Sequence, residues 1–238
     1  MKNQDYVREH YNKLVKGFDY EGYRWRKDLA SKEQYKETKK SILFHFSPEK
    51  EILEIGPGPG TWTKLIINDS KKITLLDISK EMLNQAKQNI SKKASFICSD
   101  FLDFKTKKKF DLIFSSRAIE YIEDKEKMAK KFKNILKNKG KILIITKNPF
   151  RRWRKILLKN KQDKLHDNWI SIKDFRNLLE KNNFKNIRIY PVIFSCLPFQ
   201  NFFLVRKLNS LMHNLFYKKQ VSFFLLPFIE SYLIKAER

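Results

Sequence analysis

The sequence predicts an α/β protein on a doubly wound, mostly parallel sheet, and three observations carry that expectation. Short β-rich apolar runs alternate with helical patterns from Lys50 onward: EILEI (51–55), KITLLD (72–77), ASFIC (94–98), FDLIFS (110–115) and KILIIT (141–146). Runs of this kind, mostly apolar and bounded by helix or turn signals, are what doubly wound parallel sheets look like in sequence. The first run leads directly into EIGPGPG (54–60), which holds three of the six glycines of the 238-residue chain. A glycine turn between the first strand and the first helix puts a binding site at the carboxyl ends of the strands.

The remaining elements follow in order. Upstream of the first strand, Ser31 and Gln34 offer a capping box for a helix carrying Tyr35, Ile42, Leu43 and Phe46 and stopped by Pro48; before it lies the aromatic YNKLVKGFDYEGYRWR (11–26). Ser79 caps a helix whose Met82, Leu83, Ala86 and Ile90 share one face. A helix is expected from about Ile122 to Asn138, with Glu123 and Asp124 in its first turn, Met128, Phe132, Ile135 and Leu136 inward, and Gly140 as its stop. Ser171 and Asp174 open another, with Phe175, Leu178 and Leu179 inward. Strands around Ile187–Phe194 and Ile229–Ala236 bring the sheet to seven. The organisation is one domain: a helical and aromatic cap (1–48), a core (49–195 plus 229–238) and an aromatic, basic insertion (196–228).

The formal net charge is +25, from 51 Lys+Arg against 26 Asp+Glu. Anionic partners, RNA or an acidic membrane surface, therefore enter consideration. The Lys doublets are scattered along the chain, which equally fits a compositional habit. Cys98 and Cys196 are the only cysteines and the chain opens on the charged MKNQDYVREH, so a reducing cytoplasm is expected. The longest uncharged run, Ile189 to Val205, contains two prolines and polar residues and makes a poor spanning helix.

The glycine loop narrows the ligand class. A phosphate-binding P-loop needs Lys and then Ser or Thr after its last glycine; here Gly60 is followed by Thr61-Trp62. Pro57 and Pro59 lack N–H groups, so two donors that would cradle a pyrophosphate are missing. No Lys or Arg occurs between Glu51 and Thr63, while Glu54 precedes the first glycine, so an electroneutral or partly cationic ligand suits the loop. Asp77, at the end of the second strand, is placed for a ribose diol, and Asp100, after the third, for the edge of a base.

Five segments, ILEIGPGPGTWT (52–63), LLDISKEMLNQAK (75–87), ICSDFLDF (97–104), FDLIFSSRAIEYIED (110–124) and KGKILIITKN (139–148), stand in the order and spacing of a known family. The chain resembles class I S-adenosylmethionine-dependent methyltransferases, particularly the ubiquinone/menaquinone-biosynthesis-like (type 11) group. The resemblance implies a Rossmann-like methyltransferase fold with an antiparallel last strand and S-adenosylmethionine as cofactor. It implies contacts of Glu54, Gly56, Gly58 and Gly60 with the methionine arm, of Asp77 and Ile78 with the ribose, and of Asp100 and Phe101 with the adenine. Ser115 and Ser116 would line the methyl-transfer face. Tyr11, Phe18, Tyr20, Tyr23 and Trp25 resemble the aromatic lid of that group. Relatives often carry His where Tyr121 stands, so no acid–base role passes to that position.

His166 is the candidate general base, set against a surface or structural histidine. Cys98 is expected in the core of the third strand. No His/Cys/Asp/Glu cluster has metal-ligand spacing, so a metal-free reaction is expected. RRWRK (151–155) reads either as a phosphate or base grip or as a solvated helix start. The insertion suits an acidic membrane interface or a capping element over the acceptor pocket. The expected activity is methyl transfer to a small or lipid-like acceptor in the cytoplasm, peripheral at the inner membrane face on the lipid reading. The alternatives are an RNA acceptor and a non-catalytic binding protein of the same fold.

Overall fold

The computed structural model describes residues 3–16, 18–68, 72–90, 94–149, 168–197 and 201–238. The expected His166 and RRWRK both lie outside these residues. The chain begins with α1 (Asn3–Val15), α2 (Tyr20–Trp25) and α3 (Leu29–His45), then alternates β1 (Glu51–Ile55), α4 (Thr63–Ile66), β2 (Lys72–Asp77), α5 (Lys80–Asn89), β3 (Ala94–Cys98), β4 (Phe110–Ser116), α6 (Lys125–Ile135) and β5 (Leu136–Lys147). It closes with α7 (Ile172–Lys181), β6 (Lys185–Phe194), α8 (Phe203–Phe216), a 3-10 segment (Phe223–Phe228) and β7 (Ile229–Glu237).

The seven strands form one sheet in the order β3-β2-β1-β4-β5-β7-β6. β1 through β5 pair in parallel, and β7 runs antiparallel between β5 and β6. Strand order reverses beside β1, which is where open α/β sheets leave a crevice at the strand ends. Alternation along β1 explains the two hydrophobic layers. Ile52 joins Ile42, Trp62, Ile73 and Leu83 on one face, and Leu53 joins Ile113, Phe132 and Phe175 on the other.

Several boundaries differ from the sequence expectation for physical reasons. α3 starts at Leu29 because Asp28, ahead of Ser31, is the cap and accepts from Ser31 N at 2.7 Å; Leu43 on that helix is exposed. α6 starts at Lys125 with Asp124 as its cap, accepting from Lys127 N at 2.8 Å. It ends at Ile135, where Leu136 turns extended and pairs with Phe110, and Lys139 takes a positive φ of 61° ahead of Gly140. Cys98 is exposed, because β3 is an edge strand whose faces are only partly covered.

The cap is fastened to the core by aromatic and polar contacts. Trp25 meets Trp62 edge-on at 5.1 Å and Tyr35 stacks on Trp62 at 5.2 Å between centroids. Ser79 Oγ donates to Asn12 Oδ1 at 2.7 Å, and Gln85 Nε2 donates to the carbonyls of Val15 and Phe18. Trp25→Ala removes the buried ring that pins α2 and is expected to cost about 3–5 kcal/mol. Hydrogen exchange should show α1 and α2 deprotected well beyond the β1–β5 amides; uniform deprotection of the whole chain would contradict this role for Trp25.

Candidate functional site

The site is built where β1, β2 and β4 end. Gly56 N donates to Leu76 O at 2.8 Å, holding the loop against β2. Gly56 and Gly58 have φ of 66° and 55°, in the left-handed region that disfavours side chains. A Cβ on Gly56 would lie 2.1 Å from Ala118 Cβ, so the loop rests directly on the turn after β4.

Asp77 fastens the other side. Its Oδ2 accepts from Gly58 N at 3.1 Å and its Oδ1 from Ser79 N at 2.9 Å, so one carboxyl group joins the glycine loop to the start of α5. Burial pushes its pKa up to about 6 despite these donors. Asp100 accepts from Leu102 N at 2.6 Å and is likewise raised by burial.

These strand ends open into a cleft. Gly56, Gly58, Asp77, Ile78, Asp100 and Phe101 line it, and Tyr11, Tyr20 and Trp25 of the cap close over it. Of the other expected lid residues, Phe18 and Tyr23 are exposed and pack on each other.

Three expected contact residues stand behind the wall. Glu54 is 1% exposed and accepts from Thr63 Oγ1 at 2.7 Å. Burial raises its pKa to about 8, so at neutral pH it is mainly an uncharged carboxyl bracing the loop, not an anion facing the ligand. Ser115 Oγ donates to Ile55 O at 2.8 Å and ties β4 to β1. Gly60 packs where a Cβ would meet Ile90 Cδ1 at 2.3 Å. Ser116, by contrast, lines the cleft, and its buried Oγ has no hydrogen-bond partner among the described residues.

The fourth wall was not legible in the sequence. Arg117 lines the cleft with φ of 65°, held by its N donating to Ile145 O at 2.8 Å, its Nε to Glu120 Oε1 at 2.7 Å and its Nη1 to Ser231 Oγ at 3.1 Å. Glu120 Oε1 also accepts from Lys147 N at 2.9 Å. Tyr121 and Tyr11 join hydroxyl to hydroxyl at 2.6 Å, and burial raises both pKa values, so both are neutral phenols. Burial, reinforced by Arg117, lowers Lys147 to about 8. Arg24, from α2, also faces the cleft; its guanidinium lies 4.0 Å from the Trp25 ring and has no acidic partner within ion-pair distance among the described residues. Nothing in SSRAIE marks Arg117, because a positive φ and a contact with the distant Ser231 leave no local pattern, and nothing in YEGYRW marks Arg24.

Residues 46–190 match the family described as a methyltransferase domain. The chain belongs to that family. This methyltransferase domain is 33% identical over 136 residues to malonyl-[acyl-carrier protein] O-methyltransferase 2 of Ilyobacter polytropus, covering 54% of this chain and 52% of the relative. The chain thus spans about half the length or less of the first curated relatives it matches. Among solved structures it resembles the N-methyltransferase NodS of Bradyrhizobium japonicum in complex with S-adenosyl-L-homocysteine, with TM-score 0.65 and 14% identity over 100% of this chain and 99% of the other. A methyltransferase of Thermotoga maritima aligns with TM-score 0.67 and 16% identity over 96% and 99%. At these identities the structures show the shared fold.

Two outcomes follow from the methyltransferase domain's geometry. Gly56→Ala forces a side chain into a left-handed position against Ala118; strain of about 1–3 kcal/mol is expected before any repacking. A denaturant midpoint equal to the parent's would refute the close approach. If a ribose diol donates to Asp77, binding requires its carboxylate, so protonation as pH falls through 6 must weaken S-adenosylhomocysteine. Calorimetry should show about tenfold weaker binding at pH 5 than at pH 7, and Asp77→Asn should bind more weakly with little pH dependence in that window.

Proposed function

We propose that this chain is an S-adenosylmethionine-dependent methyltransferase acting on a small or lipid-like acceptor that carries an anionic group. One observation carries the reading: the glycine loop, Asp77 and Asp100 all open into a single lidded cleft, and the loop itself offers no cation for a pyrophosphate. The open backbone at Gly56 and Gly58 suits the methionine arm, Asp77 the ribose hydroxyls, and Asp100 with Phe101 the adenine. S-adenosylmethionine supplies an activated methyl group on a sulfonium that is already a good leaving group. The chain's own part is positioning and exclusion of water.

Tyr11, Tyr121 and Ser116 form a neutral, hydrogen-bonding wall that can orient the acceptor's nucleophile. Arg24 and Arg117 supply positive charge beside it; Glu120 pairs directly with Arg117, while Glu120 and Glu230 act on Arg24 only at longer range. An acceptor with a carboxylate or phosphate completes that arrangement. The Ilyobacter polytropus relatives are malonyl-[acyl-carrier protein] O-methyltransferases, and an anionic acyl acceptor accords with Arg24.

The test is transfer of label from methyl-labelled cofactor into an extract of the source cells. Label is expected in a compound retained on an anion exchanger, and Asp77→Ala should weaken cofactor binding about hundredfold and abolish labelling at low cofactor. Arg24→Gln should slow labelling while S-adenosylhomocysteine still binds. Label recovered in RNA, or no cofactor binding at all, would overturn the reading.

A further inference from the structure

The helix α8 packs Met212 and Phe216 against the core but leaves its four leucines on the outside. Its inner side is anchored: His213 Nδ1 hydrogen-bonds Val192 O at 2.8 Å, and Asn209 Oδ1 accepts from Cys196 N at 3.0 Å. The opposite side carries Leu204, Leu208, Leu211 and Leu215, which are 76%, 38%, 55% and 51% exposed. Their spacing of 4, 3 and 4 residues puts all four in one stripe about 60° wide at about 100° per residue. Water-facing positions on such a helix are ordinarily polar. Beyond α8, Phe223 and Phe224 in the 3-10 segment are 80% and 83% exposed, so the apolar surface is not confined to one helix.

The segment that carries this surface has charge of one sign. No Asp or Glu occurs between Glu180 and Glu230, while seven Lys and Arg do; Glu33 of α3 reaches α8 and pairs with Arg206 at 3.2 Å. Lys207, between Leu204 and Leu208, and Lys218 and Lys219, just past Leu215, are exposed, and Lys207 Nζ lies 4.4 Å from the Phe203 ring. Exposed leucine and phenylalanine bordered by lysines of the same segment match the interface of a bilayer with anionic headgroups, where apolar side chains enter the acyl boundary and ammonium groups meet phosphate. Among the described residues no helix is long and apolar enough to cross a membrane, so the contact is one of lying on the surface.

The location ties this face to the site. Asn148, just past the carboxyl end of β5, points its Nδ2 at Leu226 O, 3.4 Å away, and Ser195 N donates to Phe228 O at 2.8 Å. The 3-10 segment therefore sits at the carboxyl edge of the sheet, the edge at which the cleft opens. We propose that the leucine face of α8 and the Phe223–Phe224 segment form a docking surface for an anionic phospholipid bilayer. The surface brings the cleft to lipid or lipid-linked molecules at the interface.

The experiment is co-sedimentation of the full chain with vesicles of phosphatidylcholine alone and of phosphatidylcholine mixed with phosphatidylglycerol. The parent should bind the mixed vesicles at least about tenfold more tightly than the neutral ones, and added salt should erase that difference. The triple variant Leu204→Gln, Leu211→Gln, Leu215→Gln should lose about tenfold or more in affinity for the mixed vesicles. Lys218→Gln with Lys219→Gln should lose affinity in a salt-dependent way. These side chains lie outside the cleft, so both variants should keep the parent's melting temperature and S-adenosylhomocysteine affinity. Equal binding by parent and triple variant would overturn the proposal. So would a parent that ignores vesicles but forms dimers, in sedimentation velocity, that the triple variant loses, because the face would then pair two copies. Vesicle binding needs no cofactor, so this result stands or falls apart from the methyl-transfer reading.

Discussion

The arrangement depends on one close approach, that of the glycine loop to the turn after β4. Gly56 has room for no side chain because Ala118 stands where its Cβ would be. That contact brings the ends of β1 and β4 together. The hydrogen bond from Gly56 N to Leu76 O adds β2. Asp77 then holds Gly58 and Ser79 with its two oxygens, so loop, strand and helix start are one rigid corner. Glu54 and Ser115 brace the same corner from behind, each spending its side chain on a neighbouring group instead of on the cleft. The result is a ligand-facing backbone held in place by buried polar groups.

The cap completes the cleft from the other side and is linked to the same corner. Asn12 meets Ser79, which caps α5 and sits two residues from Asp77. Tyr11 meets Tyr121, and Gln4 Nε2 donates to Tyr121 O at 2.6 Å. The cap thus contacts both the start of α5 and the post-β4 turn, and the Trp25–Trp62 contact supplies the apolar part of the closure. Ordering of this cap and formation of the cleft are coupled, since the same residues do both.

Much of the fold was legible because its signals are local. Apolar runs of five to seven residues mark β1 to β4, Ser79 and Ser171 cap the helices expected of them, and the glycine loop stands at the end of β1. Where the expectation slipped, a local signal competed with another: Asp28 outranks Ser31 as a cap, and Leu136 leaves α6 because Phe110 offers a strand partner. Cys98 read as core from its apolar neighbours, yet an edge strand has less to cover it.

The sequence by itself determined the sheet, the glycine turn at its carboxyl edge and the carboxylates at the next two strand ends, because each rests on periodicity or on a residue's own backbone preference. Only the tertiary structure decided which of those residues face the cleft. Glu54, Gly60 and Ser115 turned out to brace it, while Arg24, Arg117 and Tyr121 line it, because facing is set by packing partners on other elements, such as Thr63 for Glu54, Ile55 for Ser115 and Tyr11 for Tyr121. The same is true of α8. Its leucines have the spacing of a buried face, and only the packing of His213 and Asn209 against β6 shows that those leucines are the side left to the outside.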